Sequence, residues 1–135
     1  MLSKTADLGP FVRGAPRWIL RLEGASALAA AGVIYGRLGI GWPWFFALFL
    51  LPDLSMLGYL AGPRIGALTY NAAHSYVGPI ALGSIAFVMK ADPIAVTVAV
   101  VWIAHIGFDR ALGYGLKYGS AFGDTHLGRV GRKAS

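Results

Sequence analysis

The chain has 135 residues, of which 56% are apolar and 13% charged, with a formal net charge of +6. Its mean hydropathy is +0.61. A soluble domain this small cannot bury so much apolar surface, so the composition argues against a soluble enzyme, a disordered tail and a nucleic-acid binder. Cysteine is absent, which excludes disulfides and thiolate metal sites.

Residues 1–16 are mixed and loop-like, with Lys4, Asp7 and Arg13, and do not read as a cleaved signal peptide. A membrane-spanning helix needs about 20 mostly apolar residues. Four stretches qualify. Residues 18–35 carry Arg21 and Glu23 near their start, and residues 39–60 carry Asp53. Residues 65–89 hold no charge but include Asn71 and His74, and residues 93–112 include His105 and Asp109. A polar tail follows over residues 113–135. Short connections force antiparallel neighbours. The prediction is all-α: one integral membrane four-helix bundle over residues 1–135. Pro79 should kink the third span, and Pro52 should break the second just before Asp53. Tyr35, Trp42 and Trp44 read as interface anchors.

Basic residues set the direction. Lys4, Arg13 and Arg17 precede the first span, Arg64 joins the second to the third, and Lys117, Arg129, Arg132 and Lys133 follow the fourth. Both termini are therefore expected on the cytoplasmic side. Polar residues then fall at one depth. Glu23 lies about two turns in, Asn71 and His74 roughly 9–14 Å in, and Asp53, His105 and Asp109 in the same half. Charged groups in hydrocarbon cost at least a few kcal/mol, so a shared site explains them better than separate accidents. His105 and Asp109 are four apart and share a stripe, as do Tyr70, Asn71, His74 and Gly78. The tail carries Asp124 and His126 and could fold back over the site.

Histidines and carboxylates together suit zinc, iron or manganese, with a water completing the shell and becoming a nucleophile. The expected ligands are His74, His105 and Asp109, with Asp124 and His126 as further candidates. Asp53 and Glu23 are the candidate catalytic acids, Asp53 as ligand or base. Arg64 and Arg110 could hold an anionic headgroup, with Asn71 and Tyr70 beside them. This predicts a metal-dependent, hydrolase-like membrane enzyme acting on a lipid or amphiphile at the cytoplasmic leaflet. Two other readings stand beside it. In one, the cluster relays protons or binds a cation in a small carrier, for which four spans favour a homodimer. In the other, the cluster is interhelical hydrogen bonding in a structural or partner subunit.

Several motifs carry a resemblance. They are Arg21-Leu-Glu23-Gly24, Pro52-Asp53-Leu-Ser-Met-Leu-Gly58-Tyr59, Tyr70-Asn71-Ala-Ala-His74-Ser75-Tyr76, His105-Ile-Gly107-Phe-Asp109-Arg110 and Asp124-Thr125-His126-Leu-Gly128. Over about residues 17–131 the chain resembles the family named domain of unknown function 4260. The resemblance implies a small four-span protein of the bacterial cytoplasmic membrane, and no known reaction. A weaker likeness is to membrane-bound metal-dependent hydrolases. Pro52-Asp53 and His74-Ser75 are similar, but Ser55 replaces a second aspartate, and Tyr70-Asn71 stands near a His-Arg position.

Overall fold

The computed structural model describes residues 11–118 and 123–129. Its helices are α1 (Gly14–Leu38), α2 (Trp42–Phe49), a 3-10 helix (Leu51–Ala61), α3 (Pro63–His74), α4 (Val77–Val88) and α5 (Pro93–Leu112). A small ribbon, β1 (Asp124–Thr125) against β2 (Gly128–Arg129), follows in antiparallel register. Proline punctuates the chain. Pro43, Pro52, Pro63 and Pro93 stand in the first turn of their helices, where a missing N–H breaks no bond and the ring fixes φ. Gly113 ends α5 at φ 91°, a left-handed conformation that favours glycine.

Among the described residues, three stretches are long and apolar enough to cross a membrane: α1, α2 with the 3-10 helix, and α5. The outer faces of the 3-10 helix and of α4 suit hydrocarbon. Leu60, Val77, Phe87 and Val88 are 75–89% exposed, an apolar surface that soluble monomers rarely show. α5 coincides with the expected fourth span and lies centrally, packed on α1, α2 and α4, while α3 packs on the 3-10 helix. Gly24 and Gly107 meet where α1 crosses α5, and a Cβ on either would run into the other helix's backbone. Away from the polar end, Ala31, Tyr35, Phe45, Val100, Val101 and Ala104 form the apolar core.

The expected third span is two helices rather than one. Each has 12 residues and reaches about 18 Å, too short to cross alone. The break falls at Ser75, whose backbone is extended, four residues before Pro79. A proline has no N–H for the carbonyl four residues back, and its ring crowds that residue. The freed carbonyls are taken up by α5. Trp102 Nε1 donates to the Ala73 carbonyl at 2.5 Å, and Arg110 donates to the His74 carbonyl at 2.9 Å. Broken helices persist at membrane depth only with such replacements.

Pro52 acts as expected. The 3-10 helix that contains it, Leu51–Ala61, runs for 11 residues, far longer than the usual short run. Thr69 on α3 supports this stretch by donating to the Ser55 carbonyl at 2.9 Å. Tyr35 differs from its expected role. It is 1% exposed, packs between Trp42 and Phe45, and donates to the Gly41 carbonyl at 2.6 Å. It belongs to the core, while Trp44 is exposed as an anchor would be.

The tail does fold back. His126 N–H donates to Leu116 and Val12 N–H to His126. Arg17 donates to the Leu127 carbonyl at 2.7 Å, and Arg21 to the Ala111 carbonyl at 2.9 Å. The start of α1, the end of α5 and the ribbon therefore share one end of the bundle.

Candidate metal centre

Four side chains from three elements converge at that end. Asp53 stands in the first turn of the 3-10 helix, His74 is the last residue of α3, and His105 and Asp109 are one turn apart on α5. One ligand atom from each lies within 4.8 Å of all the others. His74 Nε2 lies 3.1 Å from His105 Nε2, 3.3 Å from Asp53 Oδ1 and 3.5 Å from Asp109 Oδ2. His105 Nε2 lies 3.2 Å from Asp53 Oδ1 and 3.3 Å from Asp109 Oδ2. A tetrahedral centre with bonds of about 2.0–2.1 Å sets its ligand atoms about 3.3–3.4 Å apart. The five separations bracket that value.

Tautomers point the same way. His74 Nδ1 can only donate to the Tyr70 carbonyl, at 2.9 Å. In a neutral imidazole, that leaves Nε2 a bare lone pair aimed into the group, the second-sphere arrangement usual for metal-bound histidine. The Tyr70 ring stacks on His74 at 3.7 Å between centroids and 7° between planes, fixing the imidazole plane. His105 is held by Phe49, edge to face at 4.9 Å. His105 interacts with the Phe49 backbone, but its Nδ1 makes no full hydrogen bond among the described residues. Both histidines are buried. Two ionised aspartates with two neutral imidazoles would carry two negative charges, which a divalent cation would balance.

A cavity of about 300 Å³ is lined by Asp53, Met56, Tyr70, Asp109, Tyr114, Lys117 and Thr125. The Asp53 side chain is 36% exposed, against 12% for Asp109. Burial pushes the Lys117 ammonium below its ordinary pKa, with Asp109 opposing.

The other residues marked from the sequence lie elsewhere. Glu23 is exposed on α1 and Arg64 is exposed at the start of α3, outside the four-residue group. Arg110 is buried, but its guanidinium is spent on the carbonyls of His74 and Tyr114. Asn71 clasps the backbone of Lys117, and Tyr70 lines the cavity. His126 Nδ1 accepts from Leu116 N–H at 2.8 Å, which fastens the tail. Asp124 pairs through its backbone with Arg129, while its side chain lies outside the described residues. Arg17 ties α1 to the tail, and Arg21 ties α1 to the end of α5. Sequence reasoning missed Lys117 as a cavity residue, because it read as one more basic residue of a cytoplasmic tail. Trp102 was missed too; its only signal is its place one turn before His105.

No curated protein and no solved structure matches the chain. Residues 17–130 match the family described as domain of unknown function (DUF4260). The chain belongs to that family.

Proposed function

We propose that Asp53, His74, His105 and Asp109 hold a divalent transition metal (zinc, iron or manganese), and that the chain is a metal-dependent, hydrolase-like membrane enzyme acting on a lipid or amphiphile. The observation that carries this reading is the set of five ligand-atom separations of 3.1–3.5 Å beside an accessible cavity. A bound metal would supply a water of lowered pKa. Asp53, the more exposed carboxylate, either stays a ligand or turns to that water as base. We further read α3 and α4 as one broken crossing, giving four spans. The basic residues around both ends support a cytoplasmic side for those ends, and family membership fits the bacterial cytoplasmic membrane.

A second reading has one specific support. Without a metal, two Nε2 atoms 3.1 Å apart must share a proton, so the group could handle protons as a carrier. The test is hydrolysis of short-chain acyl and phosphoryl amphiphiles by the full chain in detergent. Product should form with zinc, iron or manganese, vanish with a chelator, and vanish in His105→Ala. Proton flux in liposomes, with no metal-dependent hydrolysis, would select the second reading.

A further inference from the structure

Tyr70 stands four residues before His74 on α3 and serves that ligand twice. Its carbonyl accepts from His74 Nδ1 at 2.9 Å, and its ring lies parallel to the imidazole, 3.7 Å away between centroids. Phenylalanine would do both. The hydroxyl takes part in neither contact, and among the described residues it has no hydrogen-bond partner. Yet Tyr70 is only 5% exposed, and a phenol hydroxyl at such depth usually finds a partner. This one has a space instead. Tyr70 lines the cavity of about 300 Å³ together with Asp53 and Asp109, and both carboxylates act electrostatically on its hydroxyl.

Other polar groups of the cavity wall are placed differently. Ionised Asp53 and Asp109 only accept hydrogen bonds. Thr125 Oγ1 already donates to the Gly128 carbonyl, and Tyr114, beyond the end of α5, is 42% exposed. Tyr70 differs in being held against a ligand by ring and backbone together. Its C–O bond lies in the ring plane, and that plane is 7° from the imidazole plane. The hydroxyl is therefore held alongside the plane in which His74 Nε2 would meet a metal. When water adds to an ester group, negative charge gathers on the carbonyl or phosphoryl oxygen, and a preorganised O–H donor there lowers the barrier. Resting on the hydrolase reading above, we propose that the Tyr70 hydroxyl donates a hydrogen bond to that substrate oxygen. The hydroxyl keeps its proton throughout, so no covalent bond to Tyr70 forms or breaks. One side chain then joins two tasks: its ring fixes a metal ligand, and its hydroxyl meets the substrate. The shared chemistry is an ester with an acceptor oxygen beside the cleaved bond, either acyl or phosphoryl.

The test uses the full chain in detergent, loaded with zinc, as parent, Tyr70→Phe and Tyr70→Leu. Zinc content and Tm are measured on each sample. Rates follow on short-chain acyl and phosphoryl amphiphiles, and calorimetry follows acetohydroxamate, a zinc chelator that presents a carbonyl oxygen to a nearby donor. Tyr70→Phe is expected to keep the parent's zinc and Tm, because the ring stays. Its kcat on whichever ester the parent cleaves should fall about 100-fold with KM little changed, and acetohydroxamate should bind about tenfold more weakly, as for loss of an oxyanion donor. Tyr70→Leu should lose zinc affinity as well, since nothing then holds the imidazole plane. The ester class on which Tyr70→Phe shows its loss assigns the acceptor as acyl or phosphoryl. If Tyr70→Phe matches the parent in kcat and in acetohydroxamate binding, the hydroxyl's role is overturned, and the metal centre and the hydrolase reading stand. If Tyr70→Phe loses zinc as Tyr70→Leu does, the role is also overturned, because the hydroxyl then acts on the ligand and not on the substrate. A zinc-loaded parent that cleaves neither ester class overturns the hydrolase reading and this role with it, leaving the metal centre. A parent that takes up no zinc overturns all three.

Discussion

At the residue scale, the group depends on paired roles within single side chains. His74 offers Nε2 only because Nδ1 is bound to the Tyr70 carbonyl. Asp109 is the more buried carboxylate and sits one turn from His105. Asp109→Asn keeps its shape and removes its charge, so metal affinity should fall by at least about 100-fold, more than losses typical of outer-sphere changes. Equilibrium titration with a zinc indicator reads this directly. His126 gives a separate prediction. Burial, and then Arg110, hold its pKa below the ordinary value of 6.5, so the folded chain prefers it neutral. The unfolded chain binds the extra proton first. The stabilising bond from Leu116 N–H is therefore intact above pH 6.5 and is lost as pH falls toward the folded-state value. Between pH 7.5 and 5.5, Tm should fall further in the parent than in His126→Gln, whose side-chain oxygen still accepts.

At the element scale, the break in α3–α4 and its repair by α5 decide where His74 points. α5 supplies two members of the group, and also Trp102 and Arg110, which occupy the carbonyls at the broken end. Arg110→Met leaves a buried carbonyl without a donor, which costs about 1–3 kcal/mol. Its Tm should drop, and its metal affinity should weaken by about 10–100-fold, as for second-sphere changes. Trp102→Phe should act in the same direction. A lower Tm with unchanged affinity would show that the repair serves folding alone. The contact of α1 with α5 is equally demanding. Gly107→Val would drive a side chain into the backbone of α1 near Gly24. Overpacking of this kind costs about 1–3 kcal/mol, which thermal unfolding in detergent will report.

At the scale of the whole molecule, the sequence revealed depth well and rotation poorly. Apolar length placed α5 and α2 with the 3-10 helix, and polar depth brought Asp53, His74, His105 and Asp109 to one end. The i, i+4 spacing of His105 and Asp109 was readable because helix geometry is fixed. Glu23 shares that depth but faces outward, since depth carries no rotational information when a helix is apolar nearly all round. Arg110 looked like a headgroup ligand because a broken helix and its vacant carbonyls leave no local signature beyond Pro79. The break fell at Ser75 because proline acts on the residue four back. Lys117 stayed hidden because its burial depends on Asn71, 46 residues away along the chain.

The central claim is that four side chains hold one metal. Elemental analysis of the detergent-purified full chain, after loading with zinc, iron or manganese, tests it most directly beside His74→Ala and His105→Ala. About one metal per parent chain, with little in either variant, is the predicted result. A parent without metal after loading, or variants that hold as much as the parent, would contradict it.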